Sequence, residues 1–86
     1  MNVHATLASA ISTVCDVPLD EVRPECELDA LGVDSLASAE IIFEIEMALG
    51  RELPNHLLRQ IDGVRTVGEV EERLTAELLG PAPAAP

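Results

Sequence analysis

The stretch SLASAEIIFEIEMAL, residues 35–49, puts apolar side chains on two sides of any helix it forms, and this constrains what the rest of the chain can be. At about 100° per residue, Ser38, Ile41, Ile42, Ile45 and Leu49 gather on one side, while Leu36, Glu40, Phe43, Glu44 and Met47 gather on the other. The first set is a core face. The second mixes carboxylates with apolar groups and holds the single aromatic residue of the chain. Either Phe43 and Met47 tuck against a neighbouring loop, or this face is a docking surface. On a docking surface the apolar groups supply contact area, Glu40 and Glu44 steer basic partners, and the flexible Met47 adapts to more than one of them. Asp34 is a good N-cap for this helix and Gly50 a natural stop.

Helical spacing recurs on both sides of this segment. Val3, Leu7, Ala10, Ile11 and Val14 repeat at three and four, so a first helix runs to Cys15 with Asn2 as its cap, and Pro18 blocks its continuation. Residues 16–33 break the pattern with two prolines and scattered acids. They read as an ordered loop with a short turn near Leu19–Val22, pinned to the core by Leu19, Val22, Leu28 and Leu31. So long a connection in a small domain is often functional. PNHLLRQI, from Pro54, reads as a brief helix. Thr66 and Glu69 have capping-box spacing ahead of a last helix with Val67, Val70, Leu74 and Leu78 on one stripe, ended by Gly80 and Pro81. The expected fold is all-α: a small four-helix bundle of three main helices and one short one, with a long first loop. Residues 1–80 form the domain, and 81–86, PAPAAP, form a disordered Pro/Ala tail.

Composition narrows the class further. With 86 residues the chain is one domain with a modest core. It has one Phe and no Trp or Tyr, so the core is aliphatic, which suits packed helices. The net charge of −11 repels nucleic acid and anionic membranes and attracts partners with basic patches. Cys15 and Cys26 have no metal-like spacing and read as reduced thiols of a cytoplasmic protein, with a disulfide as the alternative. His4 and His56 are too scattered for a zinc site. No segment has the length and apolarity of a membrane span, and no signal peptide is evident.

Ser35 begins the second helix, where free N–H groups and the macrodipole favour an anionic group, although Asp34 opposes one. By spacing alone it is an ordinary first-turn serine. No histidine lies near it in sequence and no G-x-S-x-G elbow is present, so it is not read as a self-activated nucleophile. Nor does a D-x-D-x-D-G loop point to calcium.

The segment LGVDSLASAEIIFEIEMALGRELP resembles the attachment-site segment of acyl carrier proteins. The Leu-Gly-x-Asp-Ser-Leu core is Leu31, Gly32, Val33, Asp34, Ser35 and Leu36. Glu40, Ile41–Ile42, Glu46, Gly50 and Pro54 match the pattern that follows it. RTVGEVEERL is similar to the family's later helix start, with Val70 where Leu is usual. The resemblance covers residues 3–79. It implies a carrier rather than an enzyme, with 4′-phosphopantetheine moved from coenzyme A to Ser35 by a Mg²⁺-dependent phosphopantetheinyl transferase. Acyl groups then ride on the arm as thioesters. It further implies that Asp34 orients the attachment segment or meets the transferase. Leu36, Glu40, Phe43, Glu44 and Met47 would face partner enzymes of acyltransferase, ketosynthase or ligase type. Ile41 and Ile45 would line an acyl-chain cleft. A shuttle needs its surface free, which implies a monomer.

Three departures bear on the pathway. Met47 stands where many fatty-acid carriers have an acid, Glu44 replaces a residue that is often small or apolar, and the Gly-Gly-His/Asp-Ser pattern of peptidyl carriers is missing. With frequent Arg, Ala and Pro and no Lys, as in GC-rich genomes, these favour polyketide or related secondary metabolism. The capped first helix and short tail suit a discrete carrier, with PAPAAP as the linker of a carrier cut from a larger synthase as the alternative. Fatty-acid synthesis and aminoacyl or peptidyl carriage are the alternatives. A different class, an unmodified acidic helical adaptor, shares every feature except a modified Ser35.

Overall fold

The structure, a computed structural model, describes residues 2–61 and 63–78. Its first helix, α1 (Val3–Cys15), is capped by the Asn2 side chain, which accepts the Ala5 N–H at 3.0 Å. The helix ends before Pro18 exerts any effect. Asp16 takes the left-handed conformation (φ 58°, ψ 47°), which a short polar side chain tolerates, and the Ser12 hydroxyl donates to the Val17 carbonyl at 2.6 Å.

The loop that follows contains two 3-10 turns, Leu19–Glu21 and Asp29–Leu31, of which the sequence indicated the first. Val22 is buried, and Leu28 and Leu31 pack against the core. Leu19 does not pin the loop; it is 56% exposed, and Val22 is the buried apolar residue of this turn.

The second helix, α2 (Ser35–Leu49), begins at Asp34 and ends at Gly50, whose φ of 72° is a conformation that favours glycine. Glu46 then fastens the exit of the helix. Its carbonyl accepts the N–H groups of Gly50 and Arg51, and its Oε2 accepts the Leu53 N–H at 2.8 Å. This holds Leu53 in the core, and α3 (Asn55–Ile61) follows directly.

The last helix, α4 (Val67–Leu78), starts at the expected capping box. The Glu69 N–H donates to the Thr66 hydroxyl at 3.2 Å, and Glu69 Oε1 accepts the backbone N–H groups of Arg65 and Thr66. Two further N–H groups of its first turn are satisfied by the first loop. Val67 donates to the Cys26 carbonyl and Gly68 to that of Pro24. The Leu28 N–H returns a bond to the Arg65 carbonyl, and Glu27 and Thr66 form an isolated antiparallel bridge. The approach is close: a Cβ on Gly68 would stand 3.0 Å from the Pro24 oxygen. The expected helix stop at Gly80–Pro81 and the tail 81–86 lie outside the described residues.

The result is the expected small all-α bundle, with α1 packed against α2 and α4 against both α1 and α3. Leu7, Ile11, Val22, Ile45, Leu57, Val67 and Leu74 are fully buried, so every helix contributes aliphatic surface to one core. Two histidine–glutamate contacts tie the flanks of α4. His4 Nδ1 lies 2.7 Å from Glu71 Oε1, and His56 Nε2 lies 3.0 Å from Glu77 Oε1. Cys15 and Cys26 are both free thiols.

This packing makes two outcomes testable. Ile45→Ala removes a fully buried side chain and should cost about 2–5 kcal/mol in urea unfolding, whereas Phe43→Ala, on the same helix, should stay within about 0.5 kcal/mol of the parent. The carboxyl of Glu69 is held below the ordinary carboxylate range, first by the Arg65 N–H and then by that of Thr66, with smaller help from the Thr66 hydroxyl and Arg73 and a small opposing effect of burial. Folding therefore favours its ionised form. That stabilisation is present above the ordinary carboxylate value and is lost as pH falls through the lowered folded value. The urea midpoint of the parent should therefore fall more steeply than that of Glu69→Gln across this acid range.

Candidate functional site

The start of α2 is built by the turn before it. Gly32 adopts a left-handed conformation (φ 88°, ψ 18°), and its N–H closes the 3-10 turn on Asp29. Val33 donates to the Leu28 carbonyl and packs on the core, which anchors the chain one residue before the cap. Asp34 is extended. Its Oδ1 accepts the Ala37 N–H at 2.8 Å and its carbonyl accepts the Ser38 N–H at 2.8 Å. Its direct role is therefore to start the helix. Ser35 follows as the first helical residue. It is exposed, and its hydroxyl makes no hydrogen bond among the described residues. The N–H groups of Ser35 and Leu36 also remain free there. An exposed serine beside two free helix N-terminal donors suits a phosphate ester. No described histidine reaches the site to activate Ser35: His4 and His56 are engaged with Glu71 and Glu77.

The outward side of α2 is open. Leu36, Phe43 and Met47 are 72%, 57% and 64% exposed, so no loop covers them, and they form one stripe with exposed Glu40 beside it. Glu44 diverges from this stripe. It is half-buried and lines a groove between α1 and α2 with Ala5, Thr6, Ser9, Ala10 and Ala48. Between Arg23 and Arg51 every charged side chain is acidic, so the field over this face is negative from the loop to the end of the helix.

The inward side leads to an apolar cavity. Ile41 and Ile45 line it, together with Ile42, Ile61, Val33 and Ser38, but its space for a water-sized sphere is only about 30 Å³. A wider groove of about 280 Å³ lies on the surface between α2 and α3, lined by Ser38, Ala39, Ile42, Leu58 and Ile61. Sequence reasoning placed Ser38 and Ile42 on the core face. It missed Ile61, which only the docking of α3 beside α2 brings there.

One further group matters near Ser35. Cys15, at the end of α1, has its thiol pushed above the ordinary range by burial first and then by the carboxylates of Asp34 and Glu40. It stays protonated near neutral pH, so this side of the bundle offers no thiolate to attack a thioester.

A serine at an exposed helix start, with no hydrogen-bond partner among the described residues, thus lies beside an acidic apolar stripe. Comparison with known proteins gives the class. Residues 5–74 match the family described as "Phosphopantetheine attachment site". The chain is 36% identical over 72 residues to an acyl carrier protein of Streptomyces coelicolor, covering 83% of this chain and 75% of that protein. It is 34% identical over 90 residues to a polyunsaturated fatty acid synthase component of a Thraustochytrium species, covering 95% of this chain. It is 30% identical over 79 residues to the non-reducing polyketide synthase Preu3 of Preussia isomera, covering 92% of this chain. The chain spans 3% of the length of each of these two synthases. The chain belongs to the phosphopantetheine-binding family of acyl carrier proteins. The matched domain is a site of covalent 4′-phosphopantetheine attachment. Among the described residues no helix is long and apolar enough to cross a membrane.

The cap separates two roles for Asp34. Asp34→Ala should lower stability by about 1 kcal/mol, while Asp34→Asn, an equally good cap, should retain it. Slower modification of the folded Asp34→Asn variant, followed by intact mass, would assign the remaining effect to charge.

Proposed function

We propose that Ser35 is the attachment residue and that the chain carries acyl intermediates of polyketide or related specialised biosynthesis in the cytoplasm. The observation that carries the attachment is the free Ser35 hydroxyl at the exposed start of α2, inside the matched residues 5–74. When attached, the cofactor supplies a flexible arm with a terminal thiol that holds acyl groups as thioesters. The protein's own residues do the rest. Asp34 sets the start of the helix so that the Ser35 oxygen projects into solvent, and the N–H groups of Ser35 and Leu36 with the macrodipole of α2 favour the phosphodiester charge. A tethered group reaches several active sites at high effective concentration.

Leu36, Glu40, Phe43 and Met47 form the surface on which ketosynthase, acyltransferase or ligase-type enzymes dock. Glu44 contributes from its edge. Charge on this face speeds encounter with basic patches, while the small apolar stripe keeps the complexes short-lived, as a shuttle requires. Ile41 and Ile45 form the floor of the acyl site, and the groove between α2 and α3 is its entrance. The small inner cavity supports short or largely exposed chains. The pathway reading draws on Met47 in place of an acid and on the likeness to a polyketide synthase; the likeness to a fatty acid synthase component supports fatty-acid assembly as the second reading.

Incubation with a broad-specificity phosphopantetheinyl transferase, coenzyme A and Mg²⁺ should add one phosphopantetheine to the parent and none to Ser35→Ala, as read by intact mass. Modification of Ser35→Ala would move the attachment elsewhere. No modification of either folded protein by several transferases would favour the unmodified adaptor.

A further inference from the structure

The cavity inside the bundle and the groove on its surface share a wall. Ser38, Ile42 and Ile61 line both. Every other described side chain lining either space is aliphatic, so Ser38 brings the only hydroxyl to both. Ser38 is half-buried, and among the described residues its hydroxyl makes no hydrogen bond, although its N–H is committed to the Asp34 carbonyl. It stands one helical turn along α2 from Ser35.

These facts set up a choice between kinds of chain. A saturated chain lying in the groove covers the Ser38 hydroxyl, removes its water and offers nothing in return, which is unfavourable for a polar group. A chain with an oxygen at the same level replaces the lost water with a hydrogen bond. Position along the chain follows from the layout. A chain entering from the surface leaves its arm-proximal atoms in the outer groove, where Ser38 is, and sends its distal atoms toward Ile41 and Ile45. Length follows from volume, because the outer groove offers about 280 Å³ and the inner cavity only about 30 Å³.

We propose that Ser38 is a specificity-determining residue of the acyl site and favours short chains oxygenated next to the thioester, 3-oxoacyl or 3-hydroxyacyl groups, over saturated chains of the same length. This rests on Ser35 carrying the arm. The hydroxyl acts on the chain and not on the arm, so attachment itself does not depend on it.

The test loads the full chain through a transferase with butyryl or 3-oxobutyryl phosphopantetheine, with intact mass confirming one group on Ser35. Two readouts follow: nuclear Overhauser contacts from the acyl chain, as stable amide-linked analogues, to isotope-labelled Ile42 and Ile61 methyls, and thioester cleavage by hydroxylamine relative to the same acyl group on free pantetheine. The 3-oxobutyryl chain should contact both methyls and be protected about tenfold better than butyryl. Ser38→Ala, shown folded by circular dichroism, should bring the two chains level, and Ser38→Thr should keep the preference. Equal protection in the parent, or a preference that survives in Ser38→Ala, would overturn the proposal; in the second case the hydroxyl is satisfied within its own helix. Failure to load Ser35 at all would overturn the attachment reading and this one with it, whereas loading without discrimination overturns this one alone.

Discussion

Two N–H groups at the start of α4, those of Val67 and Gly68, hold the first loop across the bundle by donating to the carbonyls of Cys26 and Pro24. The exchange solves two problems together. A helix start leaves donors without intrahelical partners, and a long loop leaves carbonyls without any. Each supplies what the other lacks. Because residues 24–28 are fixed to α4, the turn at Asp29–Gly32 has a defined origin, Val33 reaches the core, and Asp34 and Ser35 emerge at one place on the surface. The absence of a Cβ at Gly68 is what permits the approach. The exposed serine is therefore held by a rigid neighbour on each side, although among the described residues its hydroxyl makes no hydrogen bond.

From that start α2 divides its circumference between duties. Ile41 and Ile45 face the core, Glu44 and Ala48 face α1, Ser38 and Ile42 face α3, and Leu36, Phe43 and Met47 face solvent. A helix in a larger core would bury more of its apolar residues. Here the only aromatic ring of the chain is left outside, and the core is completed with Leu, Ile and Val from all four helices and the loop. Stability and the proposed partner contact thus draw on different residues of one helix.

Much of the site was legible from residue order because its chemistry is local. The caps at Asn2, Asp34 and Thr66–Glu69 each join residues three apart, and the stop at Gly50 depends on one backbone conformation. The open stripe of α2 was also legible, since helical period alone sets which residues share a side. Glu44 shows the limit of that reasoning. Periodicity groups it with Phe43 and Met47, but the neighbour that half-buries it is α1, and no local rule states where α1 lies. Leu19 failed for the same reason: whether an apolar loop residue is buried depends on the packing around it, and here Val22 is buried while Leu19 is exposed.

The amino-acid sequence by itself determined the four helices, the caps that start three of them, the stop at Gly50, the serine at the head of α2 and the negative field around it, because these depend on period, capping and charge, which act over a few residues or over the whole chain at once. Only the tertiary structure decided that Glu46 ties down Leu53, that Cys15 feels the acids beside Ser35, and that Ser38 and Ile61 meet at the wall between groove and cavity. Each of these joins segments whose separation in sequence carries no signal, and only the packing of one aliphatic core brings them within reach.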